Sequence, residues 1–425
     1  MRNILDYGAI GDGVTINTKA IQQAIDDGGM VFIPDGVFIT GTLYLKSGGG
    51  LYLSDGATLK MSGNLEDIKG SENFPQNGIW PEEGNAGWHM LLAIEQEDIR
   101  IEGNGTIDGN GTNWVAKRED ILKSHPGQMI MFCECKKVSV KNVTLQNSSF
   151  WHLFFHGCTD VTARDLYIRG NTDAPVNDGI DIDCCQRVTV SGCNIETGDD
   201  ALTVRCDNSR LKTDRPCEDV IVNNCILRST LDNGIRVGVG SGKIKNCIFS
   251  DIIIRDTLQG ININGRFNPA YDPGTAQIEN ISFKNIILKA YHPIDIQLSN
   301  EQYHPPMNGA YVKNITFSDI KAECERDLWI WGYEGAELEN IKLINCDFLY
   351  GGKGKDETFY NENGDWLWPS GENAITIKKA KNVILDRVNI KYTSDAKSWK
   401  EDVIIENSEN VRFIECELKN GIKND

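Results

Sequence analysis

No apolar run in this 425-residue chain is long enough to cross a bilayer, so no membrane partner is expected. Positive charge is also short: 43 Lys and Arg stand against 61 Asp and Glu, a net charge of −18, which disfavours nucleic acid and anionic lipid. The 13 cysteines form no Cys-x-x-Cys pair and no zinc-type cluster with His, so no metal and no cofactor is expected. Their odd number and scattered spacing fit a reducing compartment better than a disulfide framework. The opening stretch, MRNILDYGAIGDG, lacks the apolar core and cleavage site of a secretory leader. A cytoplasmic location is therefore expected.

What the chain has in abundance is internal repetition. Segments such as KKVSVKNVTLQNSSFWHLFFHGC (136–158), TDVTARDLYIRG (159–170), GIDIDCCQRVTVSGCNIETGDDALTVRCD (179–207) and EDVIVNNCILRSTLDNGIRVGVG (218–240) share one pattern, and further copies run to residue 420. Each unit holds two or three short strands with apolar residues at alternate positions and Asn, Gly, Asp or Cys at the corners. Val138, Val161, Val188 and Val220 begin comparable strands. This spacing predicts an all-β fold, a single parallel β-helix over 1–425, with loops absorbing the differences in length. Asn142, Cys193, Cys225, Cys247, Cys346 and Cys416 recur at one corner, where a small side chain stacks on its neighbour. In NTKAIQQAID (17–26), Ala20, Ile21, Ala24 and Ile25 share one face, which predicts a short helix capping the open first coil. Two Trp-rich insertions, near 71–90 and 350–373, break the repeat and are expected either to wall a binding face or to join copies in a homo-oligomer.

Equivalent positions in successive coils lie about 4.8 Å apart, so aligning the repeats gives geometry. Ile180, Leu202, Ile235 and Ile261 form one inward row, and Ile182, Val204, Val237 and Ile263 another. The residues between them point outward. One outward row reads Phe154, Asp181, Thr203, Arg236, Asn262, Asp295, Trp329; the next reads His156, Asp183, Arg205, Gly238, Asn264, Gln297, Trp331. At the corner before the strand, Asp178 stacks on Asp200 and then Asn233, and Asn177 on Asp199 and then Asp232. A lone Asp at a turn usually bonds its own backbone. Carboxylates clustered over three coils, beside amides and aromatic rings, suit the hydroxyls and faces of sugars instead.

Cleavage of a glycosidic bond needs one protonated acid and one ionised base or nucleophile. Carboxyl groups about 5–5.5 Å apart suit a retaining route, and about 6.5–9.5 Å leaves room for a water and inversion. Crowding of Asp178, Asp199 and Asp200 is expected to hold a proton on one of them.

In order along the chain, DYGAIGDGVTINTKAIQQAID, VFIPDGVFITGTLYLKSGGGLYLSDGATL, GTIDGNG and GDDA resemble the family 28 glycoside hydrolases. The resemblance spans about residues 5 to 420 and implies a right-handed, polygalacturonase-like parallel β-helix. The family's Asn-Thr-Asp motif falls on VNDGIDID, which makes Asp178 the matching aspartate; the literal NTD at 171–173 lies too early for the strand register. The family's Gly-Asp-Asp falls on Gly198, Asp199 and Asp200. By this resemblance Asp199 is the general acid, and Asp178 and Asp200 activate the attacking water with inversion. The chain departs from the family at two motifs. Where Gly-His-Gly is expected it reads LDNG, placing Asp232 and Asn233 at the histidine's position. Where Arg-Ile-Lys would hold a galacturonate carboxylate it reads Asn262, Ile263, Asn264.

The reading that follows is an exo-acting, inverting glycoside hydrolase of oligosaccharides other than a plain polygalacturonase. Beyond the three acids, the expected substrate contacts are His156, Asp181, Asp183, Arg205, Asp232, Asn233, Arg236, Asn262, Asn264, Arg266, Trp329 and Trp331. Arg205, Arg236 and Arg266 offer a displaced site for a carboxylate or sulfate, whereas Asn262 and Asn264 suit neutral hydroxyls. Trp329 and Trp331 stack either on sugar rings or under the 350–373 insertion. Two alternatives stay open: a lyase or sugar-transferring enzyme on the same scaffold, with Asp178, Asp181 and Asp183 as a cation site, and a non-catalytic carbohydrate binder.

Overall fold

The computed structural model describes residues 1–68, 76, 88–114, 127–265, 275–298, 309–352, 373–396 and 399–424. Most of both predicted insertions lies outside the described residues, as does Arg266. The chain forms two compact units, Met1–Thr203 with Asn208–Leu231 and Val204–Asp207 with Asp232–Asp425. Each is a length of right-handed parallel β-helix, as the repeats predict. Among the described residues no helix is long and apolar enough to cross a membrane.

In the first unit each coil contributes three strands. Leu153–His156, Thr159–Arg164 and Tyr167–Arg169 make one coil, and Ile180–Asp183, Gln186–Ser191 and Asn194–Thr197 the next. All pair in parallel, with Phe154 on Asp181, His156 on Asp183, and Val138, Val161, Val188 and Val220 in one column. Alternate side chains fill the interior: Leu153, Phe155, Ile180 and Ile182 are fully buried. The predicted cap is a helix, Thr18–Asp26, which packs on Ile4–Tyr7, Met30–Ile33 and Leu43–Tyr44. It buries Ile21, Ala24 and Ile25, while Ala20, expected on the same face, is half-buried.

The corner is displaced by one residue from the reading above. Asn142 stands in register with Gly192 and Asn224, all with positive φ, and not with Cys193 and Cys225. A left-handed residue is needed to turn the corner, and Asn and Gly tolerate that conformation best. The cysteines follow the turn and point inward. All 13 are free thiols and 12 are buried. Cys158 and Cys185 donate to carbonyls of the neighbouring coil, Phe132 O at 3.2 Å and Phe155 O at 3.3 Å. They are packing residues, as expected.

In the second unit the strands run through their corners. Lys243–Asn264, Gln277–Gln297, Tyr311–Cys324 and Glu337–Tyr350 stack in parallel. Asn280, Asn314 and Asn340 form a ladder, each amide donating to the Asn one coil earlier at 3.0–3.3 Å. Inside, Phe249, Phe283 and Phe317 stack with ring centroids 4.8 and 4.9 Å apart.

Candidate active site

The carboxylates of Asp178, Asp199 and Asp200 meet in the first unit: one oxygen of each lies within 4.8 Å of the others. Strand pairing brings them together. Gly179 N–H donates to Asp200 O at 2.9 Å and Ile180 N–H to Ala201 O at 3.2 Å, which sets Asp178 beside Asp200 one coil on. Asp199 is fixed by the backbone. Its Oδ2 accepts from Val176 N at 2.6 Å and its Oδ1 from Asp200 N at 3.0 Å. Val176 holds φ at +62°, an unfavourable conformation for a β-branched residue, maintained beside the site by that bond. Thr203 Oγ1 donates to Asp200 Oδ2 at 3.2 Å. Asp178 and Asp200 are buried, whereas Asp199 is half-buried and gives the group its opening.

Sequence reasoning passed over His152 as a support. Its N–H and its Nδ1 both reach Asp178 O, at 2.9 and 2.8 Å. Nε2 accepts from Ser148 N at 3.4 Å. Burial lowers its pKa to about 4, so the ring is neutral and acts as a spacer between Ser148 and Asp178. The available signal was its place, one coil before Asp178.

The outward rows of the first unit are not open sugar-facing ground along their length. Leu92, Met131, Phe154, Ile94 and Cys133 join Phe150 and Trp151 in a buried apolar cluster, with Tyr44, Val176 and Leu211 packed against it. His156, expected at the surface or on substrate, is fully buried and stacks on Phe154 at 5.3 Å. Asp181 and Asp183 are likewise fully buried. His156, Asp183 and Cys184 each place one donor atom within 4.8 Å of the others.

In the second unit the registers read from sequence hold. Arg236 pairs with Asn262, Asn262 with Asp295, and Asp295 with Trp329; Asn264 pairs with Gln297, and Gln297 with Trp331. Asn233 Nδ2 donates to Asp232 Oδ1 at 2.5 Å. Arg205 is buried and Arg236 half-buried. Trp329 is buried, donates its indole N–H to Asp327 and packs edge-on against Trp331 at 5.8 Å, so it serves as packing. Trp331 is half-buried, with Lys378 Nζ 4.5 Å from its ring centroid.

Residues 31–364 match the model of the glycosyl hydrolases family 28. This chain belongs to that family. A polygalacturonase of Arabidopsis thaliana is 27% identical over 60% of this chain and 63% of its own length, so the chain spans less than two thirds of that relative. An endo-polygalacturonase of Pectobacterium parmentieri is 28% identical over 77% of this chain and 84% of its own. An exopolygalacturonase structure from Thermotoga maritima superposes with a TM-score of 0.72 at 19% identity, covering 92% of this chain and 91% of that one. Asn233 lies on the strand Asn233–Gly238, and Asn262 and Asn264 on Lys243–Asn264.

Burial in this family 28 chain also sets a pH dependence. His89, His152 and His292 are each lowered to about 4 by desolvation. Between that value and 6.5 the unfolded chain binds protons that the folded chain refuses, so their stability is present above 6.5 and lost as pH falls toward 4. Asp295 has the opposite sign. Burial, with Asp327 nearby, raises its pKa well above the usual range, so the folded state keeps a proton that the unfolded chain releases. Each of the three histidines contributes at most about 1.4 kcal/mol per pH unit between those values. Urea unfolding of His89→Gln protein is expected to show a shallower fall in stability from about pH 6 to about pH 4.5 than the parent. An equal or steeper fall contradicts it.

Proposed function

We propose that this family 28 protein is an inverting, exo-acting glycoside hydrolase of oligosaccharides other than a plain polygalacturonase. The observation that carries the reading is the meeting of Asp178, Asp199 and Asp200, from two neighbouring coils, with oxygens within 4.8 Å. Asp199 gives its proton to the glycosidic oxygen as the bond to the anomeric carbon breaks. Asp178 and Asp200 hold a water, which attacks that carbon from the opposite face and yields its proton to one of them. End-wise action is proposed from the two long insertions that interrupt the repeat.

The nearest oxygens of the three acids come within 4.8 Å of one another, whereas the roughly 6.5–9.5 Å of an inverting pair describes the separation of whole carboxyl groups. A water hydrogen-bonded to two oxygens at 2.8 Å with a tetrahedral angle sets them about 4.6 Å apart. A bridging water of that span fits within the 4.8 Å that bounds the three acids, and in this reading Asp178 and Asp200 clamp it between them. The same closeness favours a second reading, retention through an aspartyl intermediate. The reaction class is tested on a panel of aryl glycosides and pectin-derived oligosaccharides, before and after chelation. Hydrolysis insensitive to chelator, with no unsaturated product absorbing in the ultraviolet, is the expected result; a cation-dependent unsaturated product means a lyase.

A further inference from the structure

One buried acid of the second unit has no use in that scheme. Asp295 lies on the strand Gln277–Gln297 between the core residues Ile294 and Ile296, and so points to the outer side. It is 1% exposed, and neither of its oxygens has a hydrogen-bond partner among the described residues. One coil earlier stands Asn262, whose Nδ2 donates to Gln259 Oε1 at 2.7 Å while its Oδ1 has no partner among the described residues. The same holds of Asn264 Oδ1. An unsatisfied buried polar atom is costly, and four such oxygens on adjacent positions of one sheet face amount to a site for a polar ligand.

The surrounding charges define what that ligand is. Arg236 stands one coil before Asn262, and so about 9.6 Å from Asp295 at 4.8 Å per coil. Lys378, beyond Trp331, is paired with Glu406 at 3.3 Å. His292 is neutral, because burial lowers its pKa to about 4. Asp327 adds negative charge on the same side and accepts the Trp329 indole N–H. A ligand carboxylate brings only acceptors and a charge, and here it would face the amide oxygens of Asn262 and Asn264 and the negative charge of Asp327. Sugar hydroxyls bring donors, and they accept in turn from an acid held in its protonated form. The row opens at Arg236, Gln297 and Trp331, all half-buried.

We infer that Asn262, Asn264, Asp295 and Gln297 form a binding subsite for an uncharged sugar unit, a row of neutral side chains that takes hydroxyls in preference to a uronate. The inference rests on the carbohydrate reading above and narrows its substrate class.

The test measures binding, apart from turnover, in full-length Asp199→Asn protein by calorimetry at pH 7. The probes are trigalacturonate and its fully methyl-esterified form, which differ in charge. The ester is expected to bind at least tenfold more tightly. Asp295→Asn keeps that preference, and Asp295→Lys reverses it. Should the buried lysine prevent folding, Gln297→Lys places the cation at the half-buried edge of the same row and is expected to cut the preference at least fivefold. Equal or tighter binding of the free acid by the parent overturns the inference, as does binding of neither probe, or a ratio that Gln297→Lys leaves unchanged. Calcium binding that Asp295→Asn abolishes also overturns it, by making the row a cation site. Failure of hydrolysis in the panel leaves these binding ratios readable.

Discussion

Asp199→Asn is expected to lower kcat/KM by about a thousandfold, within the range that loss of a positioned acid produces. The amide matches the carboxyl in shape but gives up no proton to a leaving oxygen. Part of the effect is structural and must be separated. Both Asp199 oxygens accept backbone N–H groups, from Val176 and from Asp200. An amide keeps one acceptor and turns its NH2 toward the other donor, at a cost of about 1–2 kcal/mol. Urea unfolding measures that share. The comparison variant is Asp173→Asn, in the NTD that matches the family motif literally. Asp173 is exposed, and its N–H donates to Asn171 Oδ1 at 3.0 Å. Its replacement is expected to leave kcat/KM within twofold. If Asp173→Asn were the damaging change, the motif would have been placed on the wrong residues.

Gly198→Ala has the second large expected effect. A Cβ at Gly198 would lie 2.1 Å from Ala174 O and 2.7 Å from Asn171 O, both backbone atoms with little room to yield. The segment from Asn171 to Asn177 packs directly on the acidic doublet. Leu231 N–H also donates to Gly198 O at 2.9 Å, and Thr197 Oγ1 to Asp199 O at 2.8 Å, so the chain is held on both sides. One added methyl must push these strands apart and carry Asp199 away from Asp178. A displacement near 1 Å is expected to cost about a hundredfold in kcat, with about 1–3 kcal/mol of stability. Unchanged kcat at reduced stability would mean that the doublet's placement does not govern turnover.

Much of this architecture was legible in the residues because a parallel β-helix turns sequence spacing into stacking. Within each unit, the predicted partners Phe154 and Asp181, Arg236 and Asn262, and Asp295 and Trp329 pair as aligned. The meeting of Asp178 with the doublet follows from the same rule. Corner placement slipped by one residue because Asn and Cys are both small, and only the backbone shows which of them takes positive φ. Burial on the outer side was not legible. His156 alternates correctly with the core, yet side chains from other segments, such as Leu211 and Tyr44, close over its neighbourhood. Period-2 patterning tells which face a residue takes and nothing about what later covers that face. Trp329 was open to two readings for the same reason; it is buried with its indole bonded to Asp327, and the insertion it was expected to pack under lies outside the described residues.

The stereochemistry of the first product tests the central claim most directly. Proton NMR during early turnover of an aryl glycoside hydrolysed by the wild-type chain distinguishes the anomers before mutarotation mixes them. A water clamped by Asp178 and Asp200 predicts that the first-formed sugar carries the opposite anomeric configuration to the substrate. A first-formed sugar of unchanged configuration would contradict it, and would make one of the three acids a nucleophile.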